Sequence, residues 1–206
     1  GAPNFFNEYG RTKYLAEQVY MRWYEEDPEN RTLVIVRPTV IFGEGNRGNV
    51  YNLLSQIARR RFVMIGTGRN KKSMAYVENV AAFLQHSFYF DRGVHIYNYV
   101  DKPDVDMNGL VRTARAVLFG EGSVGLRVPA LVGLFLGGVA DVCAKILNRN
   151  LPISFIRVKK FISTTQFSSS IGETGFIAPI SLEEGLTSTL RHEFGGGRRE
   201  VSAPTE

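Results

Sequence analysis

A chain of 206 residues, of which 44% are hydrophobic, is long enough to bury the core of one large domain. Its formal net charge of +5 is spread along the chain, and no basic helix with interleaved aromatic residues is present, so nucleic-acid binding is not expected. Cys143 is the only cysteine, which excludes an internal disulfide and fits a reducing compartment such as the cytoplasm. The three histidines are far apart in sequence, so no metal site is expected.

The first predicted element is a helix that begins after Asn7 and ends at Asp27-Pro28. Tyr9 and Lys13 are four residues apart, which places both on one helical face. An ammonium beside a phenol favours the phenolate, and a phenolate can take a proton from an alcohol near neutral pH. The alternative is an amphipathic helix that merely exposes both side chains. The same helix is predicted to bury a stripe formed by Leu15, Val19 and Trp23.

A continuous apolar run over 33–36 predicts a parallel strand that is covered on both faces. The chain is expected to leave this strand over 37–40 and to enter a polar, glycine-rich loop over 43–49. Loops beyond the carboxyl ends of parallel strands bind ligands in open α/β sheets, although a plain flexible connection is the alternative. The loop has neither the Walker nor the dinucleotide spacing of glycines.

The remaining pattern predicts helices and strands in alternation. Helices are expected over 50–60, 78–88, 106–120, 128–147 and 153–161, and from a capping box at Ser181 to about residue 194; strands are expected over 62–65 and 94–100. A basic turn is predicted over 69–72, either as a solvated hairpin tip or as a phosphate contact.

Residues 128–147 are the most apolar segment of the chain. The apolar run is only about a dozen residues long before Asp141 and Lys145, whereas a spanning helix needs ~20. A membrane span is therefore not expected. A buried helix, a pocket wall and a shallow membrane contact stay open.

Several short motifs follow one another along the chain. They are Tyr9-Gly10-Arg11-Thr12-Lys13 with Glu17, Arg37-Pro38-Thr39-Val40-Ile41-Phe42-Gly43, Ile65-Gly66-Thr67-Gly68, Tyr76-Val77-Glu78-Asn79-Val80-Ala81, Ile96-Tyr97-Asn98, Gly175-Phe176, and Ser181-Leu182-Glu183-Glu184-Gly185-Leu186. In this order the chain resembles the second half of an extended short-chain dehydrogenase/reductase, and more narrowly the NAD-dependent epimerase/dehydratase family that acts on nucleotide sugars.

The resemblance implies a role for seven residues. Tyr9 matches the catalytic base and acid, and Lys13 matches the lysine that assists it and binds the nicotinamide ribose. Pro38, Thr39 and Val40 match the segment beside the nicotinamide, although several members have Asn at the position of Val40. Asn52 and Lys72 match positions that bind the sugar diphosphate. Many members have Arg at the position of Lys72, and Lys keeps the charge of Arg but lacks its bidentate fork.

The resemblance also implies the fold. We expect an α/β chain that holds the C-terminal part of a Rossmann-like doubly wound sheet and a smaller mixed α/β substrate-binding domain. The first would comprise 1–45 and 78–105, the second 46–77 and 121–194, with helix 106–120 assigned to neither and 195–206 as a disordered tail. The family's glycine-rich pyrophosphate turn has no match here, and neither does its catalytic Ser/Thr, so we expect a truncated chain.

The predicted function of the parent protein is that of a UDP-sugar 4-epimerase of polysaccharide biosynthesis, which transfers a hydride transiently to NAD. This chain alone is expected to be inactive. NADP stays open as the cofactor. Alternatives are a nucleotide-sugar 4,6-dehydratase, a keto-reductase, and an inactive substrate-binding or oligomerisation fragment. A lipid-linked sugar is a further candidate substrate, suggested by the apolar segment 128–147. The resemblance also implies a homodimer through the helix of Tyr9.

Overall fold

The computed structural model describes residues 8–147 and 153–195. The predicted cap Asn7 and the predicted tail beyond residue 195 lie outside the described residues. The helices are α1 (Glu8–Glu25), α2 (Asn49–Ala58), α3 (Val77–His86), α4 (Met107–Phe119), α5 (Ala130–Ile146), α6 (Phe155–Ile162) and α7 (Leu182–Phe194). The strands are β1 (Thr32–Pro38), β2 (Val40–Phe42), β3 (Met64–Ile65), β4 (Lys71–Tyr76), β5 (Gly93–Tyr99), β6 (Asp101–Asp106) and β7 (Arg127–Val128).

Parallel pairing dominates the strands, as the resemblance implies. β1 pairs with β5 over its full length, from Thr32 opposite Gly93 to Pro38 opposite Tyr99. β4 is the centre of a second sheet, where it pairs parallel with β2 and antiparallel with β6. The short strands β3 and β7 form a third parallel pair. The described residues therefore form the mixed α/β fold that was predicted.

The largest core lies where α2, α4 and α7 pack against β4. Asp106 caps α4 by accepting a hydrogen bond of 2.7 Å from the Gly109 N–H, and Gly120 ends the helix in the left-handed region with φ 70°. The capping box predicted for α7 is confirmed, because the Ser181 and Glu184 side chains each accept the other's backbone N–H. Helix α4, assigned to neither domain from the sequence, thus packs with α2 and α7. The predicted domain division itself stays a prediction.

The strand β6 and the start of β4 differ from what the sequence predicts. β6 contains Lys102-Pro103-Asp104, a sequence with low strand propensity, yet it pairs with β4 because tertiary pairing overrides local preference. The predicted basic turn over 69–72 is wrong in its second half, since Lys71 and Lys72 already belong to β4.

The buried stripe predicted for α1 is wrong. Leu15, Val19 and Trp23 are 47%, 54% and 42% exposed, and no described residue of α1 is buried. The helix packs against β1. Helical spacing predicts that these side chains share a face, but it does not predict that another layer covers that face.

Helix α5 has its small residues inside and its large ones outside. Only Gly133 and Gly137 are buried, and the apolar side chains on the opposite face are exposed. Of the three alternatives left open for this segment, the buried helix is therefore wrong. In the described part of the chain, no helix has both the length and the apolar character needed to cross a membrane.

Candidate active site

Tyr9 and Lys13 lie next to one another on the first turns of α1. The Lys13 ammonium is 5.5 Å from the centroid of the Tyr9 ring, and both side chains are exposed, Tyr9 by 70%. The spacing of four residues thus brings the two groups together on one helical face. The catalytic role of the pair stays a prediction.

A bidentate ion pair ties this helix to the end of β1. Glu17 is one turn beyond Lys13, and its two carboxylate oxygens accept hydrogen bonds of 2.7 and 2.5 Å from the Arg37 Nε and Nη2. The hydrogen bond that Arg37 donates to Glu17 raises the pKa of Arg37. Both residues belong to motifs seen in the sequence, but the sequence does not indicate that they meet. Their contact fixes the helix of Tyr9 beside the segment that begins at Pro38.

The segment 38–40 joins β1 to β2. Pro38 and Val40 are exposed, whereas the Thr39 N–H donates to the Tyr99 carbonyl at 3.1 Å. The Thr39 hydroxyl oxygen is buried, and it has no hydrogen-bond partner among the described residues. Buried hydroxyls without a partner are uncommon and costly, so this atom marks a point where a ligand or a water molecule would be bound.

The two residues predicted to bind the diphosphate lie on separate elements. Asn52 is exposed on α2. The ammonium of Lys72, on β4, donates to the carbonyls of Lys160 and Ser163 at 3.0 and 2.6 Å and contacts the Thr165 hydroxyl at 3.4 Å. A cation at the carboxyl end of a helix is favourable, and here it caps α6. Burial lowers the pKa of Lys72.

The glycine-rich loop over 43–49 is held by α7. The Glu193 carboxylate accepts a hydrogen bond of 2.8 Å from the Gly45 N–H and forms an ion pair of 2.7 Å with Arg47. Arg47 also stacks over the Tyr51 ring at 4.3 Å. The N–H of Gly45 and the charge of Arg47 hold the pKa of Glu193 below its usual value. These contacts contradict the alternative of a plain flexible connection.

The motif around Tyr76 packs against the motif around Gly185. A Cβ on Gly185 would lie 2.6 Å from the Tyr76 ring, so only glycine allows α7 to approach β4 so closely. The Asn79 amide exchanges hydrogen bonds of 2.7 and 3.1 Å with the backbone of Ile180. The carboxylate of Asp101 accepts from the Tyr76 N–H at 2.6 Å and from Asn79 at 3.1 Å. Burial raises the pKa of Asp101, and this network holds α3, β6 and α7 together.

A cavity of about 610 Å³ lies between the loop after β3 and the start of α5. No sequence pattern indicates this cavity. It is lined by Ile65, Gly66, Thr67, Asn70, Arg127, Pro129, Ala130 and Ile162. The Arg127 guanidinium donates to the Thr67 carbonyl at 2.6 Å and to the Asn108 side chain at 2.8 Å. These contacts hold a positive charge at the wall of the cavity.

Comparison with known proteins identifies chains that resemble this one. A family model described as the 3-beta hydroxysteroid dehydrogenase/isomerase family matches residues 2–85. Over 202 residues the chain is 45% identical to the N-acetyl-alpha-D-glucosaminyl-diphospho-ditrans,octacis-undecaprenol 4-epimerase of Escherichia coli O157:H7. The alignment covers 95% of this chain and 59% of that protein. Both matches agree with the resemblance to the NAD-dependent epimerase/dehydratase family.

Solved structures show the same fold at low sequence identity. The UDP-N-acetylglucosamine 4-epimerase of Bacillus cereus matches with a TM-score of 0.63 and 11% identity, over 91% of this chain and 56% of that one. The UDP-glucuronic acid 4-epimerase of Bacillus cereus, in complex with UDP-glucuronic acid and NAD, matches with a TM-score of 0.61 and 12% identity, over 92% and 53%. The chain thus spans slightly more than half the length of the relatives it matches.

Proposed function

We propose that this chain is part of a 4-epimerase that acts on an N-acetylhexosamine linked through a diphosphate to a polyprenol. The observation that carries the proposal is the Tyr9–Lys13 pair on α1, which Arg37 and Glu17 tie to the segment beside Thr39. The choice of substrate is supported by the 45% identity to an epimerase of a diphospho-undecaprenol sugar.

The pair supplies a base that can later act as an acid. Tyr9, as the phenolate, takes the proton of the sugar 4-hydroxyl, and Lys13 stabilises the phenolate through its positive charge. NAD, when bound, supplies the redox chemistry by accepting the hydride of C4 and returning it to the opposite face of the sugar. Tyr9 then gives its proton back to the 4-oxygen, so no net redox change remains.

The residues present fit the nicotinamide end of that cofactor. Tyr9 and Lys13 offer a phenol and a cation on an accessible face, and the buried hydroxyl of Thr39 has no partner within 8–147 and 153–195. A pyrophosphate-binding glycine motif is not part of these 206 residues. Binding of NAD by the whole protein is therefore part of the proposal.

For the diphosphate, Arg127 is a better candidate than Lys72. The ammonium of Lys72 has three hydrogens, and three oxygen atoms at the end of α6 already receive them. Arg127 has five N–H donors and lies at the wall of a cavity, where Nη1 donates to the carbonyls of Thr67 and Gly66 and Nη2 donates to Asn108. Donors remain for an anionic oxygen in that cavity.

The second candidate is an epimerase of UDP-sugars, which the sequence predicted. It is favoured by the names of the solved relatives, among them a UDP-N-acetylglucosamine 4-epimerase. The dehydratase, the keto-reductase and the inactive fragment stay alternatives. Dimerisation through α1 also stays a proposal, and it is supported by the exposed stripe of Leu15, Val19 and Trp23.

The deciding experiment is an assay of the full-length protein with NAD, with two substrates compared side by side. We expect 4-epimerisation of N-acetylglucosaminyl-diphospho-polyprenol dispersed in detergent, and much slower conversion of UDP-N-acetylglucosamine. Conversion of the UDP-sugar alone would favour the second candidate, and conversion of neither would contradict both.

Replacement of the base gives the sharpest test of the mechanism. Tyr9→Phe removes the group that exchanges a proton with the 4-oxygen, and we expect kcat to fall by roughly 10²–10⁴ with little change in substrate binding. Tyr20→Phe is the matched control on the same helix, because Tyr20 is also exposed. Turnover by the Tyr9→Phe variant at the rate of the control would remove Tyr9 from the mechanism.

A further inference from the structure

The outward face of α5 is apolar, whereas a helix on the surface of a water-soluble protein normally turns a polar face outward. The inward face is made of Gly133 and Gly137, where a Cβ would lie 2.4 Å from the Ile65 side chain and 2.9 Å from the Phe155 backbone nitrogen. The opposite face presents four large apolar side chains that are 59–80% exposed. They are Leu131, Phe135, Val142 and Ile146.

The apolar surface continues from α5 to α6. A groove of about 500 Å³ runs between the two helices, and almost all of its lining is apolar. Phe135 and Val142 form one wall, and Phe155 of α6 belongs to the other. Ile156, also on α6, is more than half exposed. The two helices together therefore expose one contiguous apolar surface, which we name the α5–α6 face.

The charges on these helices are mostly positive. α5 and α6 carry four basic side chains and one acidic side chain. The basic residues are Lys145, Arg157, Lys159 and Lys160, and all four are exposed. The acidic one, Asp141, accepts a hydrogen bond of 3.0 Å from the Phe155 N–H. An apolar face with a basic border matches the chemistry of helices that lie in the interface of an anionic membrane.

We propose that the α5–α6 face docks on the surface of a bilayer that contains anionic lipid. The choice of a bilayer rests on the proposed function, because a polyprenol-linked sugar is held in a membrane. It also rests on charge complementarity, since a basic border attracts anionic headgroups and repels the same border on a second copy. We expect α5 to lie along the interface, with its apolar face toward the lipid.

The test is co-sedimentation of the full-length protein with vesicles that contain roughly 30 mol% anionic lipid. We expect binding that weakens with added salt and falls on neutral vesicles. In the double variant Leu131→Glu with Phe135→Glu, the partition coefficient should fall at least about tenfold, since two charges replace the apolar centre of the face. Phe88→Glu, at another position with an exposed aromatic side chain, is the matched control and should bind normally.

Three outcomes would overturn the proposal. The first is wild-type protein that stays in solution with anionic vesicles, and the second is a double variant that binds as well as the control. The third is a wild-type dimer in vesicle-free buffer that the double variant converts to a monomer, which would make this face a protein interface. Thermal unfolding of the double variant checks that it folds. Epimerisation of the detergent-dispersed substrate tests the proposed function separately, and the double variant should retain it.

Discussion

Helices α5 and α7 both pack closely through a glycine, but they differ in where their large apolar side chains lie. Each uses a glycine to approach its neighbour closely, Gly137 against the backbone of Phe155 and Gly185 against the ring of Tyr76. In α7 the leucines lie on the same side as the glycine and are buried. In α5 the large apolar side chains lie on the side away from the glycines. The apolar stripe and the closely packed glycine share a face in α7 but not in α5, so an apolar stripe alone does not identify the packed face.

The largest contrast is expected when one leucine of each helix is shortened. Leu190 of α7 is fully buried, so Leu190→Ala should lower the free energy of unfolding by about 2–5 kcal/mol. Leu131 of α5 is 80% exposed, and Leu131→Ala should change the free energy of unfolding by less than about 0.5 kcal/mol. Chemical denaturation measures both. Equal losses would mean that α5 is packed on both sides.

Two neighbouring glycines of α5 provide the next test. A Cβ on Gly137 would meet the Phe155 backbone, so Gly137→Ala should destabilise the protein by about 1–3 kcal/mol. A Cβ on Gly138 would have nothing within 4 Å, so Gly138→Ala should stabilise it by up to about 1 kcal/mol, because alanine favours the helix. The same denaturation curves give both values. The same sign for both variants would contradict the assigned inner face.

The start of α7 should be more sensitive to substitution than the start of α5. Ser181→Ala removes a side chain that accepts the Glu184 N–H, and we expect a loss of about 0.5–2 kcal/mol. Pro129, at the start of α5, makes no side-chain capping bond, so Pro129→Ala serves as the comparison. Thermal unfolding of both variants measures the difference. An unchanged midpoint for Ser181→Ala would mean that the capping box adds nothing.

The smallest effect concerns the acid side of the pH profile. The pKa of Glu193 is lowered in the folded protein. The Glu193 carboxylate therefore contributes to stability above its ordinary pKa of about 4.3, and this contribution is lost as the pH falls through the pKa of the folded state. In Glu193→Gln the loss of stability between about pH 5 and pH 3 should be smaller than in the wild type. Thermal midpoints across that range measure it. Parallel profiles would show that Glu193 does not hold the 43–49 loop through its charge.

Sequence reasoning predicted the elements whose signals are local. The Asp106 cap and the Ser181 capping box both mark helix starts that the structure contains, and the apolar run at 33–36 lies within β1. β6 was missed, because its polar residues form a strand only through pairing with β4. Periodicity assigned α1 an apolar stripe, and composition marked α5 as apolar, but neither signal could indicate whether another layer covers those side chains.

The candidate site was predictable only in part. The spacing of four residues was enough to expect Tyr9 and Lys13 side by side. The contact between Glu17 and Arg37 joins residues twenty positions apart, and no local pattern encodes it. The cavity at Arg127 likewise depends on how the loop after β3 meets the start of α5.

The cap that Lys72 provides for α6 has a consequence for ligand binding. One ammonium cannot give the same hydrogens to the α6 carbonyls and to a phosphate at once, so these two states exclude each other. A phosphate that captured Lys72 would therefore leave the Lys160 and Ser163 carbonyls without this donor. By thermodynamic reciprocity, a ligand that favours the Lys72 cap on α6 would weaken the affinity for phosphate, and phosphate would weaken the affinity for that ligand by the same factor.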